Sequence, residues 1–250
     1  MPYCARNQIG ALVHECSLVF SSLAHGGSIS DIRKKALDGE LFSQKARTSR
    51  ERFWSVINYR YLSRPPWIIS EICESVCFGE RSPGFLSLLQ IHYILRDSLT
   101  LRLIEDFFWK KWLDNDLVIT PAELMRVIQK TGAGHIRIER LTEASLKLLA
   151  QMILSSLRDF GLLEGKVKKR IVKPVISPSV VCHLLRILHD EGLAGEAIVS
   201  DSSWRMFMLS PEDVSHHLYV LSQRGIIRFE RTGTTTVLIT PASWNGKEHD

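Results

Sequence analysis

A few groups of titratable and nucleophilic side chains in this 250-residue chain have spacings that could support chemistry. Asp159, Glu164 and Lys166 follow the order of the acid-x-lysine core of metal-dependent nucleases, where carboxylates converging from a sheet share a metal. Asp159 falls near the end of an expected helix with no strand run to support it, so the nuclease reading is set aside. Cys73 and Cys77 stand at i, i+4 on one helix face. Structural zinc takes four ligands in compact pairs, and no second pair lies nearby. Cys182-His183 and His216-His217 are adjacent pairs whose side chains diverge on a helix, as buried thiols and surface imidazoles do. His14-Glu15-Cys16 lacks the downstream Pro-Cys-x-x-Cys of a deaminase. Thr131-Gly132-Ala133-Gly134-His135 has the glycines of a phosphate loop but neither its lysine nor its strand. The patterns G-x-x-x-x-G-K-S/T, G-x-G-x-x-G and G-x-S-x-G do not occur. The expectation is a protein that is not an enzyme, with no catalytic residues, no metal ligands and no cofactor.

Charge is where the residues speak for a ligand. The formal net charge is +5, from 32 Lys and Arg against 27 Asp and Glu. Residues 33–64 hold nine basic and three acidic side chains, a net +6, so the rest of the chain is close to balanced. A localised basic field in a balanced protein suits a polyanion, most often nucleic acid. A second basic run, Lys166 to Lys173, has five Lys or Arg in eight residues and no acid, with Val167, Ile171 and Val172 between them. As a strand it either lays cations along phosphates, like a wing, or forms a charged edge that resists aggregation, and both readings stand.

The elements that would position these cations read mostly as helix. Ile9, Leu12, Val13, Cys16, Val19, Phe20 and Leu23 follow helical spacing up to His25-Gly26-Gly27. Ser28, with Asp31 three residues on, starts a short helix through Leu37, and Asp38-Gly39 turns the chain. A third helix is predicted over 43–62, with Phe53, Ile57 and Tyr61 along one face, ended by Arg64-Pro65-Pro66. This outline is that of a helix-turn-helix unit, with Lys45, Arg47, Arg50 and Arg52 around the start of its third helix. That end would enter a major groove or turn its free N–H groups to phosphates.

Beyond Pro66, helices are predicted over 67–78, 85–95 and 98–113. The last carries Leu101, Ile104, Phe108 and Trp112 on one stripe and reads with Phe107 and Trp109 as core rather than as a base-stacking platform. Thr120-Pro121-x-Glu123 is a capping box, and a long helix from Thr142 stops at Gly161. Helix, glycine, two aliphatics, a turn and a β-prone stretch then recur at the C-terminus. There a helix from Ser210-Pro211 precedes two β-branched runs, 226–231 and 235–240, separated by Thr232-Gly233-Thr234. The fold class predicted is mainly α, with an N-terminal helix-turn-helix-like unit, a central helical bundle and short β-hairpins of winged-helix type toward the C-terminus. The domains expected are 1–64, 65–176 and 177–250.

Composition bounds the rest. Hydrophobic residues at 45% and charged residues at 24% are globular values. No charge-free stretch reaches 18 residues, and the N-terminus lacks the basic-then-apolar order of a signal peptide. Five cysteines (Cys4, Cys16, Cys73, Cys77 and Cys182) suit reduced thiols better than a disulfide framework. A cytoplasmic protein with no membrane partner is expected.

Five segments in order carry a resemblance. They are the basic unit ending in Arg47–Leu62, the aromatic Phe107–Trp112, Thr120–Leu124, the long Ser145–Leu163 and Lys173–Pro178. From about Ile9 to Pro178 this series resembles the BrxA family, small components of the bacterial BREX anti-phage defence systems. The resemblance implies a largely helical, non-enzymatic protein that binds double-stranded DNA and acts beside a methyltransferase, ATPases and a phosphatase-like subunit. It supplies no catalytic residues to carry over. Contact residues come from charge and helix position: Lys34, Lys35, Lys45, Arg47, Arg50 and Arg52, helped by Lys168, Lys169 and Arg170. Gln44 is the one amide near the basic end able to read adenine, so weak sequence specificity is expected. Two other readings stay open: an adaptor that assembles other defence subunits, and an RNA binder using the same charge.

Overall fold

The computed structural model describes residues 9–132, 136–233 and 235–244. The chain divides into two compact units, one through Val172 and one from Lys173. Both are mainly helical, with small antiparallel sheets.

The first unit opens with α1 (Val13–Ala24), which buries Val13, Cys16, Val19 and Phe20. Helix α2 (Ile29–Asp38) starts where the Ser28 hydroxyl accepts from the Asp31 amide and stops at Gly39, whose φ of 89° suits glycine. Helix α3 (Arg47–Ile57) runs into a π-helical turn, Asn58–Leu62, before Pro65 ends it. The helix predicted over 43–62 therefore starts later and changes winding. The carbonyls of Gln44 and Lys45 accept from the Arg50 side chain, and the last turn closes on the i→i+5 bond from Ser63 N to Asn58 O.

Helices α4 (Pro66–Val76) and α5 (Pro83–Leu95) follow; α5 is buried on nearly every side, from Phe85 to Ile94. Residues 9–64 and 65–172, on either side of an expected domain boundary, pack within this one unit. Helix α1 packs on α4, Phe20 meets Tyr61 and Phe85 edge-on, and the Arg60 guanidinium lies 4.7 Å over the Tyr93 ring.

The predicted 98–113 helix is broken into α6 (Ser98–Arg102), a π-helical turn over Leu103–Phe108, and α7 (Trp109–Leu113). The change of winding leaves Ile104 and Phe108 buried, Phe107, Trp109 and Trp112 half-buried, and turns Lys111 inward. After strand β1 (Val118–Ile119) come α8 (Pro121–Thr131), α9 (Ile136–Glu139), α10 (Glu143–Asp159), β2 (Leu163–Glu164) and β3 (Lys169–Ile171). The three strands are antiparallel in the order β1-β3-β2, with Arg170 opposite Val118 on one side and Glu164 on the other. Only half of the capping box at Thr120 forms. Its hydroxyl accepts from the Glu123 amide, while the Glu123 carboxylate takes Lys111 instead.

The second unit contains α11 (Pro178–Asp190), the short α12 (Glu196–Val199), a 3-10 turn over Ser202–Phe207, and α13 (Pro211–Gln223). Helix α13 starts on a full capping box, since Ser210 Oγ accepts from the Asp213 amide and Asp213 Oδ2 accepts from the Ser210 amide. The hairpin β4 (Arg228–Thr232) and β5 (Thr235–Ile239) completes the unit, with Arg228 paired to Ile239. Buried Trp204 donates to Ile198 O and joins the 3-10 turn to α12.

Candidate nucleic-acid interface

Helix α2 and the start of α3 are both amphipathic, and each buries its apolar side: Ile32 and Ala36 on α2, Trp54, Val56 and Ile57 on α3. The basic residues are left to the opposite faces and to the connecting loop. Of the nine cations in 33–64, six are exposed: Arg33, Lys34, Lys35, Lys45, Arg47 and Arg52. Arg47 pairs with Glu51 one turn on at 3.2 Å, an exposed contact of little energetic weight. The residue before α3 is Ala46, so no cap side chain covers the first amides of this helix.

The remaining three cations are set apart. Arg50 Nε donates to Leu37 O at 2.8 Å, and one terminal nitrogen donates to Gln44 O at 2.7 Å and Lys45 O at 2.8 Å. Expected as a phosphate contact, it instead ties the end of α2 to the loop that carries Lys45. Arg60, 1% exposed, donates to the carbonyls of Ile9 and Gly10 and anchors the segment before α1. Arg64 is half-buried.

At the second basic run the structure excludes one of the two readings. Strand β3 lies between β1 and β2, so it is not an edge. Along it the side chains alternate: Arg170 is exposed, while Lys169 is buried. Lys169 therefore does not present its ammonium to a surface as expected; its Nζ donates to Gly165 O at 2.8 Å and Lys166 O at 2.7 Å. Burial, helped by nearby Arg158 and opposed by Asp159, holds its pKa below the usual lysine value. Lys166, Val167 and Lys168 project outward from the turn that these two bonds close.

Sequence reasoning missed Lys111. Its Nζ donates to Asp116 at 2.6 Å and to Glu123 at 2.9 Å from a side chain only 8% exposed. Burial alone would depress this lysine; hydrogen bonds to the two carboxylates outweigh it and raise the pKa. A lysine set among Phe108, Trp109 and Trp112 was the available signal, with acids five and twelve residues downstream.

The other chemical candidates separate. Glu164 sits on β2, while Asp159 ends α10, as expected, with its carboxylate 2.7 Å from the neighbouring Arg158. Cys77 donates to Cys73 O, and burial, reinforced by Cys77 and Glu74, pushes the Cys73 thiol up to about 11. His183 is buried while His216 is exposed, and burial, with His216 and Lys173, lowers the pKa of His217. Residues 133–135 of the glycine loop, Thr234 of the C-terminal turn and Cys4 lie outside the described residues. Among the described residues no group of three or more His, Cys, Asp or Glu could hold a metal, and no helix is long and apolar enough to cross a membrane.

No curated protein matches the chain. The family model of BrxA matches residues 4–187, which takes in both basic surfaces and most of α11. With well over half of its length matched, the chain belongs to the BrxA family and so to the components of BREX defence.

Proposed function

We propose that this protein is a cytoplasmic, non-enzymatic accessory component of BREX defence that binds double-stranded DNA chiefly through phosphates. The observation that carries the reading is the set of six exposed cations on α2, the following loop and the start of α3. They stand against only three acids in the same segment, Asp38, Glu40 and Glu51. An uncapped helix start among them adds amide donors for the same anion. The elements from β1 to β3 support the reading from a second side. We read their order, with β3 central, as a winged-helix unit, in which α10 would lie in a groove and the turn 165–168 would be the wing. On the exposed side of α10, Lys147, Leu148 and Gln151 include one amide able to pair with adenine, in keeping with weak sequence preference.

The adaptor reading is favoured by a different observation, in the second unit. Residues 1–172 hold 25 basic and 18 acidic side chains, whereas 173–250 hold 7 and 9. The start of α13 carries Glu212 and Asp213, and Tyr219, Ile226, Val237 and Ile239 are exposed. This unit suits a protein partner, such as a methyltransferase or ATPase subunit, better than a duplex.

A duplex-DNA shift assay across salt tests the DNA reading. Substituting Lys45, Arg47 and Arg52 together by Gln should lower the slope of log affinity against log salt by up to about 2.7, at about 0.9 for each lost phosphate contact. Wild-type affinity and slope in the folded triple variant would reject it, and loss of binding to a defence subunit on changing exposed Tyr219 and Ile239 of the second unit to Ser would favour the adaptor. A preference for structured RNA in competition would move the ligand class to RNA.

A further inference from the structure

The turn between β2 and β3 is tighter than its two basic side chains require. Gly165 has φ of 93°, and a Cβ there would stand 2.2 Å from Lys168 O, so the chain folds back on itself within four residues. Beneath this turn lies the ammonium of Lys169, in a side chain whose residue is 5% exposed. Both of its hydrogen bonds go to carbonyls of the turn, Gly165 O and Lys166 O. Above it Val167 is 85% exposed between Lys166 and Lys168.

Stability does not call for a lysine here. Burying an ammonium costs desolvation that two neutral carbonyls offset only in part, and an apolar side chain of the same length would fill the space without that cost. The lowered pKa has the same direction, since burial works against the charged form. What the lysine does provide is a fixed shape. Two carbonyls drawn to one point turn the intervening peptide inward, and the side chains of Lys166 and Lys168 are left facing solvent.

We propose that Lys169 is a positioning residue, an ammonium latch that holds the wing 165–168 in the shape that presents Lys166 and Lys168 to duplex phosphates. The proposal rests on the DNA-binding reading for its ligand, while the latch itself is a property of the turn.

The test uses the full chain. In Lys169→Met, which keeps the length and loses the donors, the strand amides of Glu164 and Arg170 that flank the turn should exchange about tenfold faster as it opens locally. The salt slope for duplex DNA should fall by about 1.8, the share of two lysines, where removing one contacting lysine lowers it by about 0.9. Lys166→Gln with Lys168→Gln should give the same fall, and adding Lys169→Met to that pair should change nothing further. Gly165→Ala opens the same turn without touching a lysine and should reproduce the Lys169→Met result, which keeps the test decisive if one variant folds poorly. Unchanged exchange beside the turn in Lys169→Met overturns the latch whatever happens to binding. A slope loss no greater than one contact, or a further loss on the double variant, makes Lys169 a direct contact and overturns it too. Wild-type protein without affinity for duplex rejects the DNA reading instead, because exchange at Glu164 and Arg170 still reports on the latch.

Discussion

Arg50 closes over Gly39: a methyl group at Gly39 would stand 3.4 Å from the guanidinium carbon, and Arg50 Nε bonds Leu37 O just behind it. The left-handed glycine lets the chain leave α2, and the guanidinium holds the departing loop by the carbonyls of Gln44 and Lys45. Arg50 thus shapes the surface on which its neighbours are displayed. Arg50→Met should cost about 2 kcal/mol, for three charge-assisted bonds partly replaced by water. Thermal melting checks this, and an unchanged melting temperature sinks the structural role. Because Arg50 is turned inward, its loss should lower the salt slope less than the loss of Arg52 does.

Lys111 joins α7 to the start of α8 through Asp116 and Glu123. Lys111→Met should destabilise the first unit by about 2 kcal/mol, below the range for a fully buried pair because Asp116 is 66% exposed. The folded-state pKa of Lys111 is raised, so its stabilisation is complete below the ordinary lysine pKa and fades as pH rises through the higher folded value. Denaturant midpoints at neutral and strongly alkaline pH should therefore converge between wild type and variant. A gap that stays constant across that range contradicts the assignment.

The second unit should weaken in acid. In Asp213 burial raises the carboxyl pKa, but hydrogen bonds from Lys173 and Ser210 overcome it; in Glu196 the bond from Thr236 leads the lowering. Both groups therefore stabilise the fold above their unfolded pKa values, near 4, and lose that contribution as pH falls through the lower folded values. Hydrogen exchange in α13 should accelerate in this window, and Asp213→Asn should flatten the response. An exchange profile in α13 independent of pH there, after correction for intrinsic rates, would rule out the linkage.

Purified protein supplied with magnesium or manganese should leave supercoiled plasmid uncut. Asp159 is engaged by Arg158, and no metal cluster occurs among the described residues. Nicking that depends on metal and disappears in Glu164→Ala would revive the nuclease alternative.

Helix starts were legible because capping is local chemistry: Ser28, Thr120 and Ser210 each mark a start three residues from the amide they accept. The surplus charge in 33–64 was legible as a sum, but not its direction. Arg50 and Arg60 look like Arg47 and Arg52 in sequence, and they turn inward because they find carbonyls 5 to 51 residues away in the chain. Strand β1 is two residues long and leaves no periodicity to read. The place of β3 between two strands, and with it the inward turn of Lys169, depends on that strand and was hidden for the same reason.

The π-helical turn over Asn58–Leu62 makes α3 and its extension a splice between two rotational phases. Ahead of the splice Arg47 and Arg52 face solvent; within it Arg60, Tyr61 and Leu62 face the core. A wider turn commonly marks one residue inserted into an α-helix. Deleting one residue within it would restore regular winding and swing one half against the other by about 100°. Trp54, Val56 and Ile57 are buried ahead of that point and Tyr61 and Leu62 at its end, so the deletion would set the basic half and the end of the helix against each other in the core. Chain length between 58 and 62 thus sets the azimuth of the charged face, although no charged contact surface is made there.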